Sequence, residues 1–131
     1  MKYHTSKFLS IAYFVSILFC LIFFSLMPES NDLSLPVVYQ NWNIFHIPAY
    51  VMLTTAIFLM MSGLTLGLMK IVGLSALFST MIGALIEALQ QFKGRTMSWD
   101  DFLLNEIGVL AGSVIILIWI FLRPALRLRV K

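Results

Sequence analysis

Four apolar runs follow one another along the chain with only short polar breaks: Phe8 to Met27, His46 to Leu66, Ile71 to Gln91 and Phe102 to Leu122. A hydrocarbon core about 30 Å thick, crossed at about 1.5 Å per residue, takes about 20 residues, and each run supplies that length. In lipid the backbone must satisfy its own N–H and C=O groups, so runs of this kind read as helices. Composition agrees, because 11% of the residues are charged where a soluble domain carries roughly a quarter. That is too little charge to cover a water-facing surface. The expectation is a single all-α domain over residues 1–131: a polytopic integral membrane protein, a four-transmembrane-helix bundle whose first partner is the lipid bilayer. A soluble catalytic domain is excluded. Nucleic-acid binding is not expected either, since no basic stretch is interleaved with aromatics on a water-exposed element.

The breaks between runs refine this picture. Lys2 and Lys7 precede the first run and Pro28 and Glu29 end it. It is longer than a signal-peptide core and no small-x-small cleavage site follows, so it reads as an uncleaved first helix. Residues 28–45 form the longest loop, with Tyr39 and Trp42 placed as interfacial anchors. Pro48 falls in the first turn of the second helix, where a missing N–H costs nothing. The segment Gly67 to Gly73 is read as the next turn, and Phe92 to Asp101 as the polar link before the last helix. With the amino terminus in the cytoplasm, Lys2, Lys7, Lys70, Arg123, Arg127, Arg129 and Lys131 fall inside, and only Lys93 and Arg95 outside. The positive-inside rule therefore predicts that both termini are cytoplasmic. Cys20, the only cysteine, has no intrachain partner for a disulfide and reads as a small buried hydrophobe.

Polar residues in or beside the helices collect at one end. His46 and Tyr50 are one turn apart at the start of the second helix, and Glu87, Gln90 and Gln91 lie in the last turns of the third. Arg95, Asp100 and Asp101 follow in the link, then Asn105 and Glu106 one turn into the fourth helix. All of these fall in the outer third of the expected bundle. Gly83, Glu87, Gln90 and Gln91 recur at intervals that share one helix face, as do Asp101, Asn105, Gly108 and Gly112. The Gly108–Gly112 pair has the Gly-x-x-x-Gly spacing that lets a second helix approach closely.

Glu87 stands out. A lone carboxylate about one turn inside the boundary is costly, so it requires a cationic partner or a proton. Arg95, with a planar fork suited to a carboxylate, is the first candidate partner and His46 the second. Either the cluster is a ligand site, or Glu87, Arg95, Asp101 and Asn105 form a closed network that locks the helices in register. No metal or cofactor is expected, because His46 has only His4, on the opposite side of the membrane, as a fellow histidine. Asp100 reads as a solvated helix cap, Asp101 as inward-facing, and Glu106, one position off that face, as snorkelling outward.

The ordered string His46-Ile-Pro-Ala-Tyr50, Glu87-Ala-Leu-Gln90, Gly94-Arg95, Asp101-Phe-Leu-Leu-Asn105, then Gly108 and Gly112 resembles the VanZ-like family over roughly residues 41–117. The Asp-Lys pair that often precedes the family's histidine is represented by Trp42 and Asn43, and the usual proline before Gly94 is Lys93. The resemblance implies a small multi-pass protein of the bacterial cytoplasmic membrane, associated with the cell envelope. The family's namesake is linked to teicoplanin resistance. A site made of His46, Tyr50, Glu87, Gln90, Arg95, Asp101 and Asn105 on the extracytoplasmic side suits such a setting, where glycopeptides and lipid-linked wall precursors meet the outer leaflet.

Two functional readings follow. In the first, an outward pocket binds an anionic lipid-linked headgroup or a glycopeptide through Arg95, with Lys93 and His46 assisting. In the second, a membrane enzyme modifies an envelope lipid or glycoconjugate, with Glu87 as acid or base, His46 as its proton partner and Arg95 stabilising charge. A channel or transporter is less well matched, since the polar set does not continue to the cytoplasmic side of a monomer; an oligomer is compatible with the sequence.

Overall fold

The structure, a computed structural model, describes residues 2–25, 45–92 and 99–128, with side chains described for 7–25, 45–92 and 99–122. Four helices follow in order: α1 (Lys2–Ser25), α2 (His46–Met61), α3 (Leu68–Gln91) and α4 (Trp99–Leu128). No strand occurs among the described residues. Three helices are long and apolar enough to cross a membrane, over Lys7–Ser25, Leu68–Gln91 and Trp99–Leu122. The chain is thus an all-α helical membrane bundle. The anchors Tyr39 and Trp42, the loop at 28–44 and the link residues Lys93 and Arg95 lie outside the described residues.

The second helix differs from expectation. It has 16 residues and ends at Met61 rather than near Leu66, so its length is about 24 Å against about 30 Å of hydrocarbon. Gly63 and Gly67 explain the early stop, because glycine is about 1 kcal/mol less favourable than alanine inside a helix. The turn spans residues 62–67 rather than 67–73. There the Ser62 N–H donates to the Phe58 carbonyl at 2.9 Å and the Leu64 N–H to the Met61 carbonyl at 2.9 Å. Gly67, in extended backbone, then receives the first N–H groups of α3, from Lys70 and Ile71. Elsewhere the helices outrun the apolar runs. α1 begins at Lys2, and α4 extends from Trp99 through Pro124 to Leu128. Hydropathy marks the stretch that suits lipid, whereas a helix continues until its backbone bonding is interrupted.

Short α2 is the hub of the bundle and packs on each of the other three helices. Tyr50, Leu53, Thr54, Ala56, Ile57 and Phe58 are all buried on one broad face, and Met52 and Leu59 are exposed on the other. A helix that is apolar all round belongs in the interior, and that placement suits a segment too short to face lipid along a full crossing. α1 packs mainly on α2 and barely touches α3. Leu21 is its only buried residue among those described, while Phe8, Leu9, Val15 and Phe19 turn away from the other helices. Cys20 does the same and is exposed, contrary to the expectation of burial, because α1 offers the bundle only one narrow face.

Candidate functional site

The three inner helices meet in layers, and the residues that make them are spaced one turn apart on each helix. In the layer nearest the start of α2, His46, Glu87 and Asn105 come together. The Asn105 Nδ2 donates to Glu87 Oε1 at 3.3 Å, and its Oδ1 lies 2.6 Å from His46 Nδ1. Glu87 is 1% exposed and Asn105 is fully buried, while His46 is half-buried. Hydrogen bonds among buried polar groups in a low-dielectric interior are strong, and costly to leave unmade.

The next layer brings Tyr50 against two glycines. The Tyr50 ring covers Gly83, where an added Cβ would lie 3.0 Å from its Cε1. On the other side Gly108 is so close to α2 that a Cβ would lie 2.6 Å from the Ile47 carbonyl oxygen and 2.8 Å from the Tyr50 Cβ. One turn deeper, the Thr54 hydroxyl donates to Ser79 Oγ at 3.0 Å, and Gly112 faces Val51 and Thr54. The Ser75 and Ser79 hydroxyls donate in turn to the carbonyls four residues earlier, Ile71 and Ser75. Small residues at this contact allow the helix backbones to approach as the Gly-x-x-x-Gly spacing implies. Phe58, Ile71, Val72 and Ile116 close the far end as an apolar cluster.

The expected site residues separate into three groups. His46, Tyr50, Glu87 and Asn105 are assembled around the start of α2 by the contacts above, with Asp101, 6% exposed, buried on the Asn105 face of α4. Gln90, also buried, is tied differently: its Nε2 donates to the Ser25 carbonyl at 3.1 Å. That bond runs from α3 to the last described residue of α1, so Gln90 fastens α1 to the bundle. Arg95, the expected cation, lies outside the described residues. Asp100 is exposed in the first turn of α4, where its charge favours the positive end of the helix.

Two features depart from expectation. Glu106 is half-buried rather than snorkelling, and its Oε2 accepts the Thr80 hydroxyl of α3 at 3.0 Å. Thr80 lies one position from the Ser79 face, and that adjacency was the available signal. The second is that the polar cluster is closed: Tyr50, Glu87, Gln90, Asp101 and Asn105 are buried, and among the described residues it forms a packed layer rather than an open pocket. An open depression does occur, on the outer face of α3 between Phe78 and Leu85, and it is apolar. Among the described residues no group of three or more His, Cys, Asp or Glu side chains is placed to hold a metal ion.

Chemically, the layer holds a buried carboxylate and a half-buried imidazole joined through one amide. His46 and Glu87 are each bonded to Asn105, which stands between them. No family model, curated protein or solved structure matches the chain.

Proposed function

We propose that this chain is a bacterial cell-envelope membrane protein, VanZ-like in its motif string, that binds an anionic lipid-linked headgroup or glycopeptide at the His46 end of the bundle. The observation that carries this reading is the chain His46–Asn105–Glu87, which sets a buried carboxyl and a half-buried imidazole at one end of a membrane bundle whose deeper Thr54–Ser79 contact is between hydroxyls. Intramembrane ionisable groups are expensive, and function is the usual reason for keeping them. Lys93 and Arg95 belong to the seven residues, 92–98, between the end of α3 and the start of α4. In the reading, Arg95 supplies the bidentate contact to phosphate or carboxylate, while Glu87, Asp101 and Asn105 orient it. The acid–base alternative needs proton exchange between Glu87 and His46. An amide that hydrogen-bonds to both is a poor proton carrier, which favours binding over catalysis.

The test is mass spectrometry of lipids that copurify in mild detergent with the wild type, Glu87→Gln and Arg95→Ala, with thermal melting recorded on the same samples. The expected result is enrichment of one anionic envelope lipid, retained in large part by Glu87→Gln and lost in Arg95→Ala while that variant still melts as the wild type does. Absence of any enriched lipid in the wild type refutes the reading. If Arg95→Ala and Glu87→Gln then also lower the melting temperature, the layer is a lock between helices.

A further inference from the structure

We infer that Glu87 acts through Asn105 to hold the proton of neutral His46 on Nδ1, so that Nε2 is left as a hydrogen-bond acceptor. The Asn105 NH2 faces Glu87 Oε1 at 3.3 Å, and an amide NH2 only donates, so Oε1 is its acceptor. That arrangement turns the amide oxygen the other way. It lies 2.6 Å from His46 Nδ1, and an amide oxygen also only accepts. Nδ1 must therefore carry the hydrogen. A neutral imidazole has one, so the lone pair falls on Nε2.

Burial makes the setting firm. Asn105 is fully buried and Glu87 nearly so, so water is not at hand to replace either bond if the amide turns over. Gly108, three residues after Asn105, holds the first turn of α2 close enough for the imidazole to reach the amide. Free histidine favours the opposite tautomer, with the hydrogen on Nε2, so the layer reverses the intrinsic preference of the ring. The outcome is an acceptor nitrogen, on a half-buried ring, for a hydroxyl or an amide N–H. Glu87 is in this sense a positioning residue, and the inference is independent of which headgroup binds.

The experiment is nitrogen NMR of the full chain in detergent micelles with 15N-labelled histidine, at a pH where His46 is neutral. His4→Gln assigns the second histidine. In the wild type the unprotonated-type resonance is expected on Nε2 and the N–H-type resonance on Nδ1. Asn105→Leu removes the relay, so the tautomer is expected to reverse. Glu87→Gln replaces an acceptor with an amide that accepts or donates, and both tautomers are expected. A wild type with its hydrogen on Nε2 overturns the inference. So does an unchanged Nδ1–H form in either variant that still elutes and melts as folded protein. If Asn105→Leu does not fold, the wild type and Glu87→Gln decide the matter.

Discussion

Gly108 tests the layered packing most directly, because the obstacle to a larger residue there is backbone rather than a movable side chain. A Cβ at this position would lie 2.6 Å from the Ile47 carbonyl oxygen and 2.8 Å from the Tyr50 Cβ. Bringing the first contact to about 3.3 Å, the near limit for carbon against a carbonyl oxygen, requires α2 to retreat by about 0.7 Å. Overpacking on this scale costs about 1–3 kcal/mol. Alanine also gains about 1 kcal/mol of helix propensity over glycine, so the raw effect of Gly108→Ala understates the clash. Gly73→Ala supplies the correction, since nothing lies within 4 Å of a Cβ there and the position is exposed within α3. The difference between the two variants is expected to be about 1–3 kcal/mol, with Gly108→Ala the less stable. Gly112→Ala should fall between them, its Cβ meeting Thr54 Cβ at 3.1 Å and the Val51 carbonyl oxygen at 3.2 Å. The assay is reversible unfolding in mixed micelles, followed by tryptophan fluorescence at fixed detergent composition. If Gly108→Ala proves as stable as Gly73→Ala, α2 and α4 do not pack as described.

Three further outcomes use the same assay. Asn105→Leu removes the bonds that Asn105 makes to Glu87 and to His46, and a loss of about 1–3 kcal/mol is expected from breaking them in a buried site. Thr54→Val preserves shape but removes the bond to Ser79, and the loss should be near the ~0.6 kcal/mol typical of hydrogen bonds between membrane helices; a loss as large as that of Asn105→Leu would contradict the ranking. Gln90→Leu removes the tie to the Ser25 carbonyl, with an expected cost of about 0.5–1.5 kcal/mol. It should leave the His46 tautomer unchanged, because Gln90 takes no part in that chain.

Much of this architecture was legible in the sequence because spacing along a helix is a local property. Glu87 and Gly83 are four residues apart, as are Asp101 and Asn105, or Gly108 and Gly112, and such intervals place residues on a shared face whatever surrounds the helix. What spacing does not contain is the rotation of one helix against the next. That is why the contact of Glu87 with Asn105 was not legible, and why Glu106 reaches Thr80 rather than snorkelling. The central position of α2 was hidden for a related reason. Its apolar residues lie all round the axis, which identifies an interior helix, yet the run from His46 to Leu66 looks long enough for a lipid-facing one. Ser75, Ser79, Gly83 and Glu87 form a continuous four-residue ladder on α3, and reading it whole would have located the α2 contact.

The glycine layer and the polar layer are best understood as one device. Hydrogen bonds weaken quickly as donor and acceptor separate beyond about 3.2 Å, and the bond from Asn105 to Glu87 is already 3.3 Å long. Side chains as short as Asn and Glu bridge two helices only where the backbones come close. Gly83 and Gly108 lie one turn below Glu87 and Asn105 respectively, against the same tyrosine. A retreat of α2 by about 0.7 Å, enough to relieve the Gly108→Ala contact, would stretch the His46–Asn105 separation from its present 2.6 Å to the edge of bonding distance. The substitution therefore acts twice, through the clash and through the polar chain above it. Gly108→Ala should accordingly weaken the preference of His46 for the Nδ1–H form even though it touches neither His46 nor Glu87. A variant that is destabilised but keeps the wild-type tautomer would show that the two layers are independent.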